Sequence, residues 1–500
     1  MRGRRVICCM VGAAFAVLFF PLTLSADVGD QFIVKTANLD ALQEFAAEHG
    51  AEVGPLIFYP NPSKETIELY GDQYIVKFAT DDQSAINRVT NKVECLPGVQ
   101  SVQPDEILDI FIPEWDEEPV ESSFNLRVMN PPPYTPNDPR YPDQWDKPMT
   151  ETNWAWNTTT GEGAGVAILD GGADTTHEDL VDNLYMGWDF NENDADYYEV
   201  SGSHGTTCCG VACAKIDNAL GVAGVAGNAN LMPLKIFGTQ PIYTTTISNA
   251  INYAIDNGVK VISMSWVATP SSALENVMAN AWDRGAFLCA GVGNNNIDQP
   301  FYPAAYDMVM AVGSISSDGG RWSSSNYGDW VQIFAPGGVS TSKGGGYTNV
   351  IHTSFTGPQI AGLAALLFSA YPHATPQQVW DNIIQGADTI ASDVGPILRM
   401  NSRKAVEKEI IAVEERKPEP IGLWTASVQS GVIRFTYDLP ASTSYNLRIF
   451  DVTGRELYAE RGRTDMKGEI SCNPALGSGI YFWRFKTSEG TSSGKFVYVR

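Results

Sequence analysis

The chain has 500 residues, 44% hydrophobic and 18% charged, a globular composition that excludes a disordered or collagen-like polymer. Acidic side chains outnumber basic ones 58 to 33, and the net charge of −25 removes the basic footprint that a nucleic-acid binder needs. Eight cysteines are too few for a disulfide-built scaffold at this length, so stability must rest on ordinary cores.

The N-terminus reads Met1-Arg-Gly-Arg-Arg5, then an apolar run from Val6 to Leu24 that closes on Ser25-Ala26. A charged start, a short apolar stretch and a small final residue predict a signal peptide over 1–26, hence a secreted or cell-surface protein. A retained membrane anchor is the rival, but Pro21 sits inside the run.

From Asp27 onward, Gln31-Phe-Ile-Val-Lys35 recurs as Gln73-Tyr-Ile-Val-Lys77. Each strand-like run precedes a helical stretch, 39–48 and 83–95, with further strands expected at 53–59 and 99–102. The order β-α-β-β-α-β predicts a ferredoxin-like α+β domain over 27–112. An acidic stretch with Pro131-Pro-Pro133 makes 113–133 a linker.

Over 134–408, short apolar runs at 166–169, 231–236, 259–264, 286–290 and 308–312 read as buried parallel strands. Helical stretches such as 245–257 and 272–284 separate them. The pattern predicts a doubly wound, mainly parallel α/β domain. A charged linker, 409–420, leads to 421–500, where short strands at 432–437, 445–450, 479–486 and 495–500 alternate with Gly and Ser turns. That texture predicts a small β-sandwich.

Three segments of the α/β domain carry chemistry. Asp170 follows the apolar run Val166-Ala-Ile-Leu169, at the strand end where such folds place their sites. His204 opens a small-residue helix in Ser203-His204-Gly-Thr206. Ser354, in Thr353-Ser354-Phe-Thr-Gly-Pro358, starts an apolar helix whose free N–H groups favour developing negative charge. Each alone suits a structural residue, but together an Asp, a His and a Ser on one α/β domain form a nucleophilic triad in chain order.

With Leu169-Asp170-Gly171, His177-Glu-Asp-Leu180, His204-Gly-Thr206, Gly221-Val-Ala-Gly224, Val261-Ile-Ser-Met-Ser265, Ala290-Gly-Val-Gly-Asn294 and Ala335-Pro-Gly337 in the same order, the chain resembles the subtilisin-like serine proteases, most closely their thermitase-like branch. The resemblance implies a secreted endopeptidase acting on proteins or peptides as a monomer. Ser354 is the implied nucleophile, His204 the base and Asp170 its orienting acid. Asn294 and the Ser354 N–H are the implied oxyanion donors; by sequence alone Asn295 and Asn296 are equal candidates. Ser265, Trp266, Gly291 and Gly293 fall on the strands that would pair with extended substrate.

The resemblance also implies a structural Ca²⁺ held by Asp138, Asp179 and Asn218, with backbone carbonyls of 217–222. The 27–112 domain resembles an inhibitory propeptide, to be freed by cutting in 113–133. The tail, with Tyr445-Asn-Leu-Arg-Ile-Phe450 and Gly479-Ile-Tyr-Phe-Trp-Arg-Phe485, resembles a type IX secretion sorting domain whose partner is the secretion machinery.

The chain departs from the family at His352, where Gly usually precedes Thr-Ser. An imidazole there is expected to narrow the pocket or strain the loop, so that His352→Gly raises activity or broadens substrate choice, and an inactive binding or adhesion protein is the rival function. Cys208, Cys209 and Cys213 suit buried thiols better than zinc, for want of a partner His. Gly490-Thr-Ser492-Ser-Gly494 fits the α/β-hydrolase nucleophile pattern but lies between strands, where the required helix is missing.

Overall fold

The computed structural model describes residues 28–78, 90, 92–112, 133–410, 425–429, 432–438, 444–450, 456–465, 467–472, 476, 479–487 and 490–498. The expected signal peptide and most of the 83–95 helix and of both linkers lie outside these described residues.

The N-terminal segment opens with β1 (Val28–Thr36), α1 (Leu39–His49) and β2 (Ala51–Pro55). The Asn38 side chain caps the start of α1, and Gly50, at φ 68°, ends it in the left-handed conformation glycine adopts freely. An unexpected helix, α2 (Lys64–Tyr70), follows, started by the Ser63 side chain accepting from the Thr66 N–H. β3 (Gln73–Phe78) and β4 (Val99–Glu106) complete an antiparallel sheet of order β2-β3-β1-β4. The two echoed runs lie side by side in it, with Phe32 opposite Val76, and Val34, Leu42 and Val76 fill its core. A short β5 (Ile110–Phe111) ends the segment.

The central sheet draws on β6 (Gly165–Asp170), β7 (Trp188–Asp189), β8 (Asn230–Lys235) and β9 (Val261–Met264). Beyond the short β10 (Val267–Ala268) come β11 (Phe287–Gly291), β12 (Val309–Ile315) and β13 (Ile333–Pro336). β14 (Gly338–Ser342) and β15 (Gly346–Val350) form a separate hairpin before β16 (Asp388–Ser392) and β17 (Gly395–Arg399). Its nine strands run in the order β16-β17-β13-β12-β11-β9-β6-β8-β7, all parallel except β16.

Both faces are covered, as a parallel sheet requires. Val166 and Ile168 of β6 join the core of α3 (His204–Cys213) and α6 (Thr353–Ala370), while Ala167 and Leu169 join that of α4 (Thr244–Asp256) and α5 (Ser272–Asp283). From β6 the chain goes to β8 on one side and then crosses to β9 on the other, so a crevice opens at the carboxyl ends of β6 and β9. α6 is buried from Thr353 to Phe368; a Cβ on Gly362 would lie 2.5 Å from Val225 Cβ. Among the described residues no helix is long and apolar enough to cross a membrane.

The N-terminal segment rests on the amino ends and flank of α4 and α5. Buried Asp105 accepts from Gln31 Nε2 at 2.6 Å and from Thr245 Oγ1, in the first turn of α4, at 2.5 Å. Glu106 accepts from the hydroxyl of Ser271, the N-cap of α5. Acids at helix amino ends meet the positive end of the dipole. At the other end of α4, Asp256 accepts from Tyr59 Oη, the Ser63 N–H and Thr66 Oγ1 at 2.8–2.9 Å and pairs with Arg284 at 2.6 Å.

In the C-terminal part, β18 (Thr425–Gln429), β19 (Val432–Asp438), β20 (Ser444–Phe450), β21 (Glu456–Arg463), β22 (Lys467–Cys472), β23 (Gly479–Thr487) and β24 (Gly490–Tyr498) form antiparallel sheets of order β18-β19-β22 and β21-β20-β23-β24. Phe435 of the first and Leu447, Ile449 and Phe485 of the second share one core. The Gly490–Gly494 stretch is strand, with Ser492 opposite Phe485.

Candidate active site

Asp170 ends β6 and is fully buried. Its two carboxylate oxygens each lie 2.9 Å from His204 Nδ1, and the Gly171 N–H also donates to it. His204 is the first residue of α3, so the helix start fixes where its ring stands. That start is held by a residue the sequence reading missed. Buried Glu199 accepts from the N–H groups of Gly205 and Thr206 at 2.9 and 2.8 Å, and from the Thr206 hydroxyl at 2.5 Å. Burial and the nearby Asp170 charge push its carboxyl pKa up.

Ser354 is the second residue of α6. In a regular helix its carbonyl would accept from the N–H four residues on, but that residue is Pro358 and has none. Ser265 Oγ donates to this carbonyl instead at 2.6 Å, and Cys208 Sγ approaches it at 3.5 Å. The Ser354 hydroxyl is buried and has no hydrogen-bond partner among the described residues. Cys208 Sγ also lies 3.9 Å from His204 Nδ1, and the imidazole stands 5.5 Å from the Phe355 ring. The acid, the imidazole and the serine are thus brought to one place.

Cys208 forms with Asp170 and His204 a cluster tight enough for a metal ion. Burial and the Asp170 charge raise its thiol pKa well above the ordinary value, so beside the carboxylate the thiol is neutral. Burial raises Cys209 and Cys213 in the same way, as inert core thiols.

Asn294, just past β11, is tied to the helix start by Thr353. Its Oδ1 accepts from the Thr353 N–H at 3.1 Å and from Thr353 Oγ1 at 2.8 Å, and Thr353 Oγ1 accepts from the Gly293 N–H at 3.1 Å. Gly291 must be glycine, since a Cβ there would lie 2.5 Å from the Thr353 carbonyl oxygen.

Ser265, Trp266, Gly291 and Gly293 line a shallow, open cleft beside Ser354, as does Val267. Trp266 contributes backbone there, because its buried indole donates to the Leu169 carbonyl at 3.1 Å. At the next residues the edge is already paired: β5 runs antiparallel to β10, with Phe111 opposite Val267 and Ile110 opposite Ala268. His352 has φ −67° and ψ 157°, ordinary extended backbone, so the expected loop strain is absent.

Asp138 and Asp179 are buried together near the 217–222 loop. Asp179 accepts from Asn218 Nδ2 and from the Val222 N–H, each at 2.8 Å, and Asp138 Oδ2 from the Asp217 N–H at 2.9 Å. Burial, then the charges of Asp138 and Glu178, push the Asp179 carboxyl up to about 7. Asp138 Oδ1 is buried with no hydrogen-bond partner among the described residues. Two adjoining carboxylates, one with an orphaned buried oxygen, fit a hard cation such as Ca²⁺.

A family profile described as the Subtilase family matches residues 161–409. Over 242 residues the chain is 39% identical to a thermophilic serine proteinase of Bacillus sp. (strain AK1), a match spanning 47% of this chain and 60% of that protein's length. It is 37% identical to thermitase of Thermoactinomyces vulgaris, spanning 47% of this chain and 86% of thermitase. Among solved structures, a protease of Pseudoalteromonas arctica PAMC 21717 matches with a TM-score of 0.51 at 28% identity, covering 55% of this chain and 99% of that one. The chain belongs to the subtilase family, and its class is that of a subtilisin-like serine protease.

Proposed function

We propose that the chain is a secreted serine endopeptidase that hydrolyses peptide bonds through Asp170, His204 and Ser354 and is made as a self-processing proenzyme. The observation that carries this is His204 Nδ1 held 2.9 Å from both oxygens of buried Asp170, beside Ser354 at the head of α6, on a subtilase fold. Ser354 Oγ attacks the scissile carbonyl as His204 takes its proton, and Asp170 fixes the imidazole tautomer and stabilises its cation. His204 then protonates the leaving amine, and water hydrolyses the acyl-enzyme by the same proton route in reverse. Asn294 Nδ2 and the Ser354 N–H serve the oxyanion; one such donor is worth about 10²–10³ in kcat.

Residues 27–112 act as an inhibitory propeptide. Their docking on α4 and α5, with β5 paired along the cleft edge, supports this role, because a strand at that edge excludes substrate. Cutting in 113–133 releases the monomeric mature enzyme. Asp138, Asp179, Asn218 and carbonyls of 217–222 hold a Ca²⁺ that neutralises the buried carboxylates. Residues 421–500 carry the chain to the secretion machinery.

A serine-directed fluorophosphonate probe tests the enzyme reading. Labelling should fall on Ser354, and Ser354→Ala should abolish both labelling and the cut within 113–133. A folded mature chain that never labels would instead be a binding protein on the same fold. Normal maturation of purified Ser354→Ala would overturn self-processing.

A further inference from the structure

We infer that His352 is a positioning residue that orients the Asn294 amide donor for the oxyanion; this rests on the protease function proposed above. His352 is the N-cap of α6, two residues before Ser354. Its Nδ1 lies 3.4 Å from Asn294 Nδ2, and its ring lies 4.6 Å, centroid to centroid, from that of Trp322.

The direction of the contact follows from the other end of the amide. Asn294 Oδ1 accepts from the Thr353 N–H and hydroxyl, which settles which end is oxygen. Nδ2 can only donate, so His352 Nδ1 accepts and the imidazole carries its proton on Nε2. An amide nitrogen has two hydrogens. With one spent on His352, the amide plane is held from both ends, and the second hydrogen is left to donate beside Ser354.

The chain Gly293 N–H to Thr353 Oγ1 to Asn294 Oδ1 secures the oxygen end against the same helix start. His352 therefore adds the second point that prevents the amide from pivoting about its oxygen. Pre-orientation matters in an oxyanion site, because a donor already aimed at the developing charge needs no reorganisation during the reaction. The residue that broke the family pattern is placed to serve the site, not to obstruct it. His352→Gly is accordingly expected to lower kcat.

Two variants separate the acceptor from the ring. His352→Phe keeps the contact with Trp322 and removes the acceptor, whereas His352→Asn offers Oδ1 near the place of Nδ1 and removes the ring. With one long, neutral hydrogen bond at stake, His352→Phe should lower kcat about two- to tenfold with KM unchanged. His352→Asn should keep most of the wild-type kcat. In an Asn294→Ala background His352→Phe should change kcat no further, because its effect passes through that amide.

The assay is steady-state hydrolysis of a peptide substrate by the matured enzyme, with melting curves confirming the fold of each variant. Full kcat in His352→Phe, or an equal further loss in the Asn294→Ala background, would overturn the positioning role while leaving the protease in place. A wild-type enzyme that hydrolyses no peptide would overturn the protease function, and this inference with it.

Discussion

The Ser265 hydroxyl donates to the backbone carbonyl of Ser354 at 2.6 Å, supplying the partner that Pro358 cannot. The bond fastens the strand edge after β9 to the helix that carries the candidate nucleophile. Ser265→Ala should therefore leave a buried acceptor with only the weak Cys208 thiol contact, costing about 1–3 kcal/mol. Denaturant melts in a Ser354→Ala background, where autolysis cannot interfere, give the number. A change within about 0.5 kcal/mol would mean that the carbonyl finds another donor.

Glu199 plays a comparable part at the head of α3. Its carboxylate takes two backbone N–H groups and a hydroxyl, all from Gly205 and Thr206, next to His204. Glu199→Gln turns one oxygen into an NH₂ facing donors. We expect a stability loss of about 1–3 kcal/mol and a lower kcat as the imidazole loses its fixed seat. Urea melts and peptide hydrolysis read the two effects. A variant as stable and as active as wild type would show that α3 does not need this cap.

Asp170, His204 and Ser354 stood out as candidates because each sits in a short motif of small residues, and the strands were legible because buried parallel strands are unbroken apolar runs. Glu199 was not legible, since an acid in a loop looks the same whether or not it caps a helix five residues on. Nor was α2, which follows Pro60-Asn-Pro62 and draws its partner, Asp256, from the far end of α4. Sequence spacing carries no record of such long-range contacts. His352 was visible only as a departure. Its meaning needed the position of Asn294, 58 residues earlier in the chain.

Calcium dependence should carry a pH signature. Without a cation the Asp179 carboxyl is raised to about 7, so the folded chain takes up a proton there that the unfolded chain does not hold. In chelator, the destabilisation from this group is greatest above about pH 7 and fades as the pH falls through that value. Calcium competes with the proton, so its stabilisation should be larger at pH 8 than at pH 6. At 100 times its dissociation constant it adds about 2.7 kcal/mol. Melting temperatures with calcium and with chelator should differ most at pH 8, and Asp179→Asn should remove most of the difference. Identical curves with and without calcium would reject the site.

The contact between Asp105 and Thr245 predicts how docking of residues 27–112 responds to pH. Burial is the main cause that raises the Asp105 carboxyl from 3.8 to about 6, outweighing the hydrogen bonds from Thr245 and Gln31. Undocking removes the cover of α4 and the Thr245 contacts, so in the free segment the group is expected to ionise closer to the ordinary carboxylate range. The docked state therefore holds a proton that the free state has released between roughly pH 4 and pH 6. The sign is the reverse of the usual salt-bridged Asp: affinity rises as the pH falls through that window, by up to tenfold per unit and roughly a hundredfold in total. Above about pH 6 both states are ionised and the dependence from this group ends. Inhibition of mature enzyme by added 27–112 segment, measured from pH 4 to pH 8, should show this slope, and Asp105→Asn should flatten it. Weaker inhibition as the pH falls through the window, in a segment that stays folded, would mean that Asp105 docks as a stabilised carboxylate.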